Sequence, residues 1–288
     1  MSAFFYYTII YPLSYLPLRW LYRISDALSL ILGKVIGYRK KVISENLNIA
    51  FANGSLSFKA SVTKQFYTHL SDLIVEGIKA FTISNKQIRK RYHVKGSEST
   101  FADFDKGKDI IVVSAHYGNW EWASLACPLY LKHQCAVIVT PLSDPFMNQK
   151  ISKSRGRNGY DLVPKSEVKS YMQKRNDKPR AIFFLCDQSP SNPDRAYWTS
   201  FLGTETPVQY GVEKYAREYN MPLYYIHVER TKRGIYDVEV APLISDPDRM
   251  KEGEIVESVT RHIETKIISN PNQWLWSHRR WKHKKKKG

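Results

Sequence analysis

Residues 109–121 read DIIVVSAHYGNWE, and this stretch decides the fold. Ile110 to Val113 is an unbroken apolar, β-branched run with no polar alternation. Such a run is the pattern of a strand buried on both faces, and two covered faces call for helices on each side of a sheet. The run passes through Ser114 and Ala115 straight into His116. In open α/β sheets the ligand crevice lies at the carboxyl ends of the strands, so His116 stands where a catalytic side chain is expected.

The same grammar repeats outward. Ala136–Thr140, Asp161–Pro164, Arg180–Cys186, Leu223–Arg230 and Tyr236–Ala241 read as further strands. Helical patterns fall between or around them at Trp120–Leu131, Pro145–Arg155, Glu167–Arg175, Val208–Tyr219 and Met250–Ile268. Upstream, residues 40–54 and 57–81 each show apolar positions at helical spacing, including Phe66, His69, Leu70, Leu73 and Ile78. Asn85–Val94 reads as a short helix and an extended segment. Asp187–Gly203 is rich in Pro, Ser and Asn and reads as a loop. Alternating elements of these lengths predict an α/β fold, with a mixed, largely parallel sheet flanked by helices.

His116 and Glu121 form a His-x4-Glu pair. On spacing alone, such a pair is most often a core histidine and a nearby carboxylate. The residues between them favour a site. Gly118 permits close backbone approach, and Asn119 offers an amide for an oxyanion or for capping the following helix. A loop-then-helix path brings the Glu121 carboxylate to one imidazole nitrogen and leaves the other facing the cleft. That is a base with its orienting partner, lacking a protein nucleophile. A substrate alcohol would take the nucleophile's place. Ser114 sits on no nucleophile elbow and receives no role.

These residues also carry a resemblance. HYGNWE (116–121) resembles the HFGNWE box of the bacterial lipid A late (secondary) acyltransferases, also called the lysophospholipid acyltransferase family. Other pieces follow in the family's order: YRKKVISENLNIAF (38–51), Arg155-Gly156-Arg157-Asn158-Gly159, Asp187-Gln188, Phe201-Leu202-Gly203 with Gly211 and Ala216, and PNQWLWSHRRWK (271–282). The resemblance implies a glycerolipid-acyltransferase-like fold. It also implies transfer of a fatty acyl chain from acyl carrier protein or acyl-CoA to a hydroxyl of a lipid A precursor. A lysophospholipid, an aminolipid or a pigment alcohol is the alternative acceptor. It makes His116 the base and Glu121 its partner. Arg155 or Arg157 would bind phosphate or polarise the thioester, with Asp187 orienting that Arg, and Gln188 completes the substrate-binding set with Asn119. Tyr117 and Trp120 become walls of the acyl pocket. No bound cofactor or metal is implied beyond the acyl-ACP or acyl-CoA cosubstrate. The box departs from the family in having Tyr117 where Phe is usual.

The two ends of the chain point to a surface. Residues 3–18 carry no charge, and after Arg19 and Arg23 a second apolar run spans Ala27–Gly37. Pro12 and Pro17 interrupt the first run. The segment either spans the bilayer at a tilt or lies in the interface with its aromatic rings at headgroup depth. Either placement makes residues 1–37 an N-terminal membrane-anchoring helix or helices. An acyltransferase domain would follow at 38–283, with a basic tail at 284–288. The chain carries 44 Lys and Arg against 27 Asp and Glu, a net +17, which favours anionic partners. In the carboxy-terminal run, Trp274, Trp276 and Trp281 interleave with Arg279 and Arg280 and predict contact with anionic membrane lipid or an acidic carrier protein. No nucleic-acid motif accompanies the charge, so nucleic acid is not an expected partner. A non-catalytic membrane- or nucleic-acid-binding protein is the distant alternative. The expected location is the inner membrane, with the catalytic domain on the cytoplasmic face. Cys127, Cys135 and Cys186 show no metal-binding or disulfide spacing and read as small core residues.

Overall fold

A computed structural model describes residues 1–174 and 176–285. Arg175, the expected end of one helix, and Lys286–Gly288 of the basic tail lie outside the described residues.

The strands are β1 (Tyr92–Lys95), β2 (Ile110–Ser114), β3 (Gln134–Val139), β4 (Asp161–Pro164), β5 (Arg180–Leu185), β6 (Tyr197–Phe201), β7 (Thr204–Val208), β8 (Leu223–Lys232) and β9 (Ile235–Ile244). Seven of them form one sheet in the order β1-β9-β8-β2-β5-β3-β4. Only the β8–β9 hairpin is antiparallel within it; every other neighbouring pair is parallel. This is the mixed, largely parallel sheet that the apolar runs predict. β2 is central and buried along its whole length. Its side chains divide by parity: Ile111 and Val113 join the core on one face, Ile110 and Val112 the core on the other. Each such side chain contributes roughly 1.5–3 kcal/mol of burial, so the strand preceding His116 is firmly fixed.

The stretch expected to be a loop, Asp187–Gly203, is partly strand. β6 and β7 form a separate antiparallel hairpin. Its turn needs positive φ at Leu202 and Gly203. The Pro and Asn that mark the region as irregular lie before the hairpin. The helix expected from Val208 starts at Gly211.

The helix Leu56–Lys79 is the backbone of one flank. Ser55 caps it, accepting from the Phe58 amide at 3.1 Å. Its far end is held by two cations. Lys79 donates to the carbonyls of Ser14 (2.8 Å) and Leu16 (3.1 Å), where Pro17 breaks the N-terminal helical segment. Arg157 donates to the carbonyls of Ala80 (2.9 Å), Phe81 and Ile83. Cations at a helix carboxyl end satisfy orphan carbonyls and complement the dipole.

One face of this helix is polar and buried: His69, Asp72 and Glu76. Glu76 accepts from Tyr22 Oη, Tyr236 Oη and Asn119 Nδ2, each at 2.6 Å. Burial pushes its carboxyl up to about 7 against the pull of those three donors. Asp72 accepts from Ser25, Arg230 and Arg233. A single stripe thus joins the N-terminal helix, the β8–β9 hairpin and the loop after His116.

The N-terminal region consists of Ser2–Tyr15 and Leu18–Val35, separated at Pro17. Among the described residues no helix is long and apolar enough to cross a membrane, so the expectation of a tilted span is corrected. Pro17 has no N–H to continue the helix, and Leu18–Val35 carries four charged residues, Arg19, Arg23, Asp26 and Lys34. The region instead packs along the helix Leu56–Lys79, with Leu18 and Leu21 buried. It leaves Phe4 (73 % exposed), Trp20, Leu30, Val35 and Ile36 facing outward.

Three histidines are held neutral by the fold, and burial is the main cause for each: His69 is lowered to about 3, His227 to about 4 and His278 to about 4. The unfolded chain binds more protons at these sites between pH 6.5 and 4, so stability is lost as pH falls through that window. Fully buried His69 contributes a slope of at most about 1.4 kcal/mol per pH unit, and the partly solvated His227 and His278 contribute less. Glu76 works in the opposite sense between pH 7 and 4.5 and offsets about one of them. Urea midpoints measured from pH 7 to pH 4.5 should therefore fall, and His69→Gln should flatten the fall.

Candidate active site

The loop after β2 is placed by backbone pairing on both sides. In register, Ser114 of β2 stands beside Leu185 of β5, and the Cys186 amide donates to the Ser114 carbonyl at 2.9 Å. Two residues further, the two strands deliver His116 and Asp187 side by side. Asp187 Oδ1 accepts from the His116 amide (3.0 Å) and contacts His116 Nδ1 at 2.8 Å. Asp187 Oδ2 accepts from Trp274 Nε1 at 2.8 Å. Burial opposes the charge of Asp187, but His116 and these donors outweigh it and hold the carboxyl at about 2. A carboxylate on Nδ1 fixes the imidazole tautomer with Nε2 as the acceptor. The ring packs edge-on against Trp120, with centroids 5.3 Å apart, and is 18 % exposed.

The sequence expectation made Glu121 the orienting partner, and here the structure differs. Glu121 holds Arg155 in a two-pronged pair, with Arg155 Nη2 donating to Oε1 and Oε2 at 2.7 Å and Nε donating to Oε2 at 3.0 Å. The reason is direction. Glu121 lies in the first turn of the helix Trp120–Ala126, and its side chain meets the helix Pro145–Gly156 that carries Arg155. Asp187 occupies His116 Nδ1 from the neighbouring strand. Asp187 therefore orients the histidine, and no Arg depends on it.

His116, Trp120, Glu121, Arg155 and Gln188 all line one cleft of about 550 Å³ at the carboxyl ends of β2, β3 and β5. Its walls include Val137, Phe183, Val212 and Tyr215, and its rim Lys165 and Arg195. Of the expected site residues, these five come together in the cleft, with Asp187 behind His116.

Three others do not line it. Asn119 is buried. Its Oδ1 caps the next helix through the Trp122 amide (2.9 Å) and its Nδ2 serves Glu76, so it is unavailable to an oxyanion. Tyr117 points to the opposite side, donates to the Asn270 carbonyl at 2.6 Å and packs on His227. It is no pocket wall. Arg157 is committed to the three carbonyls described above and binds no substrate group. Lys165 and Arg195 had no motif to mark them. Tyr215 lay within an expected helix whose inner face could not be read before the sheet order was known.

The carboxy-terminal aromatic run is also corrected. Trp274 (1 % exposed), Trp276 (0 %) and Arg280 (0 %) are buried, Trp281 is partly buried, and only Arg279 of the five expected surface contacts is exposed. The segment runs beside the His116 loop. The Leu275 amide donates to the His116 carbonyl (3.2 Å) and the Gly118 amide to the Gln273 carbonyl (3.2 Å). The aromatics that suggested a membrane belt are the scaffold of the active-site loop.

Gly118 has φ +58°, and a Cβ there would lie 2.2 Å from the Val228 carbonyl oxygen. Close backbone approach is therefore its role.

Among the described residues no Ser, Thr or Cys side chain is hydrogen-bonded to His116. Ser114 Oγ donates to the Ile226 carbonyl at 2.8 Å, and Cys186, which lines the cleft, has its thiol pushed well up by burial. All three cysteines are free. Among the described residues no group of three or more His, Cys, Asp or Glu is placed to hold a metal ion.

Residues 1–283 match the family described as bacterial lipid A biosynthesis acyltransferase. The chain belongs to that family. It is an acyltransferase of class EC 2.3.1, and the family's reaction is acyl transfer to a lipid A-type acceptor. No curated protein matches the sequence.

Gly118→Ala should cost about 3 kcal/mol, from left-handed strain and overpacking together. It should also lower kcat, because His116 moves with the loop. Urea denaturation and initial rates on the same preparation check both effects.

Proposed function

We propose that this enzyme moves a fatty acyl chain from acyl carrier protein or acyl-CoA to a hydroxyl of a lipid A precursor, with His116 as general base. The observation that carries this reading is the Asp187–His116 pair, opening on an apolar-walled cleft, with no Ser, Thr or Cys side chain hydrogen-bonded to His116 among the described residues. The acceptor hydroxyl attacks the thioester carbon as its proton passes to His116 Nε2. The C–O bond forms and a tetrahedral oxyanion develops. The C–S bond then breaks, and the imidazolium returns the proton to the leaving thiolate. Asp187 stabilises the imidazolium between these steps. The Arg155 guanidinium, aimed by Glu121, supplies positive charge at the cleft for the oxyanion or a phosphate. The two residues of the His-x4-Glu spacing thus divide the work: one moves the proton, the other holds the cation.

The acceptor and donor both favour a surface location. The outward apolar side chains of residues 4–38, with Arg23 stacked on Trp20 at 4.5 Å, suit an amphipathic segment lying in the bilayer interface. The reading therefore includes interfacial attachment at the cytoplasmic face of the inner membrane. The exposed Arg279, Lys282, Lys284 and Lys285 beside the cleft's carboxy-terminal scaffold suit an acidic carrier protein.

His116→Ala should reduce kcat by at least about 10³-fold, with a lower urea midpoint because the buried Asp187 loses its ring partner; full activity would sink the mechanism. Asp187→Asn should lose about 10³- to 10⁴-fold in kcat with KM little moved, and Glu121→Gln should chiefly raise KM. Mass spectra of lipid A from a deletion strain test the acceptor: a missing secondary acyl chain is expected, and an unaltered lipid A would exclude it.

A further inference from the structure

A second polar cavity, of about 500 Å³, lies on the far side of the His116 loop. We propose that it binds a phosphate group, either of a lipid headgroup or free in solution.

Four cations converge there: Lys64 from the helix Leu56–Lys79, Arg230 and Lys232 from the end of β8, and Arg233 from the turn between β8 and β9. Their internal neutralisation is incomplete. Arg230 and Arg233 share one buried carboxylate, Asp72, at 2.8 and 2.6 Å, and Arg233 also pairs with the exposed Asp26 at 2.7 Å. Lys64 and Lys232 are exposed and have no carboxylate partner among the described residues. Asp72 thus fixes two guanidiniums in place without cancelling the charge of the group. Arg230 uses Nη1 on Asp72 and on His69, while its Nε and Nη2 make no hydrogen bond among the described residues. A preformed guanidinium edge with two ammonium groups around it matches a phosphate dianion. Gln65, Thr68 and Asn270 add neutral polar groups to the wall.

Nothing in this cavity takes part in the proton transfer. Two of its lining residues, His69 and Gln273, nevertheless contact the His116 loop. Neutral His69 accepts from Arg230 through Nδ1 (3.3 Å) and contacts the Gly118 carbonyl through Nε2 (3.2 Å). Gln273 accepts from the Arg230 amide at 2.7 Å through its side chain and from the Gly118 amide through its carbonyl. The N-terminal helix adjoins it as well: Tyr22 lies under the Arg233 guanidinium at 4.6 Å. A site beside an outward-facing apolar segment and large enough for more than bare phosphate suits a phosphorylated headgroup.

The test uses the full-length protein and the double reversal Lys64→Glu/Lys232→Glu. Both positions are exposed and structurally free of partners, so folding is preserved. Lys284→Glu/Lys285→Glu, at exposed positions that do not line the cavity, is the control for net charge. Titration with inorganic phosphate should give a Kd weakened about tenfold or more by the first pair, with little change for the control pair. Co-sedimentation with phosphatidylcholine vesicles, with and without phosphatidylglycerol, separates the sources. Loss of the phosphatidylglycerol-dependent binding in the first pair alone assigns the site to a headgroup. Retention of that binding, with phosphate affinity lost, assigns it to a soluble anion. Wild-type protein that binds no phosphate, or binds it equally in all three proteins, overturns the proposal. Because the readout is binding, it stands apart from whether His116 performs the acyl transfer.

Discussion

Asp187 ties three distant parts of the chain to one point. It takes the backbone and ring of His116 on one oxygen and the indole of Trp274 on the other. A buried carboxylate without donors would be costly, so each donor secures the other two. The pair's geometry follows from the sheet: β2 and β5 are parallel neighbours in register, so their ends arrive level. A one-residue slip between them would separate Asp187 from His116. What looks like an active-site detail is a consequence of strand order.

The buried polar stripe His69–Asp72–Glu76 works on the same loop from the opposite side. His69 meets the Gly118 carbonyl, and Glu76 takes the Asn119 amide. Hydrophobic packing alone fixes position loosely; hydrogen bonds to buried partners fix direction, and an unpaired member costs about 1–3 kcal/mol. The loop is therefore held from two faces by groups that tolerate little displacement. Among the described residues His116 Nε2 makes no hydrogen bond and is left free on the cleft side.

Much of this was legible in the sequence. The apolar β-branched runs predicted the sheet, because a strand covered on both faces can be written in few other ways. His116 stood out because a strand led straight to it, and Gly118 because little else permits close backbone approach. The partner of His116 was not legible. Spacing along the chain favours Glu121, whereas Asp187 becomes adjacent only once β5 is known to lie beside β2, and pairing order is not written locally. The tryptophans misled for a related reason. Trp, Arg and Lys in alternation suit a membrane surface and a buried scaffold equally, and only the position of the last segment against the loop distinguishes them. The hairpin β6–β7 was hidden by Pro and Asn residues that belong to the approach to it. His69, Asp72 and Glu76 share one face of a helix whose apolar periodicity dominated the reading.

The antiparallel contact between the His116 loop and residues 273–275 has a consequence for how the protein comes into being. Synthesis proceeds from the amino terminus, and early segments can settle while later ones are still being made. The N-terminal helices and the strands of the sheet emerge first, so the polypeptide can build its sheet before Trp274 exists. Until that indole arrives, Asp187 lacks a donor and the loop lacks an edge. The His116 loop therefore takes its final form late in translation, after the strands that position it have been made.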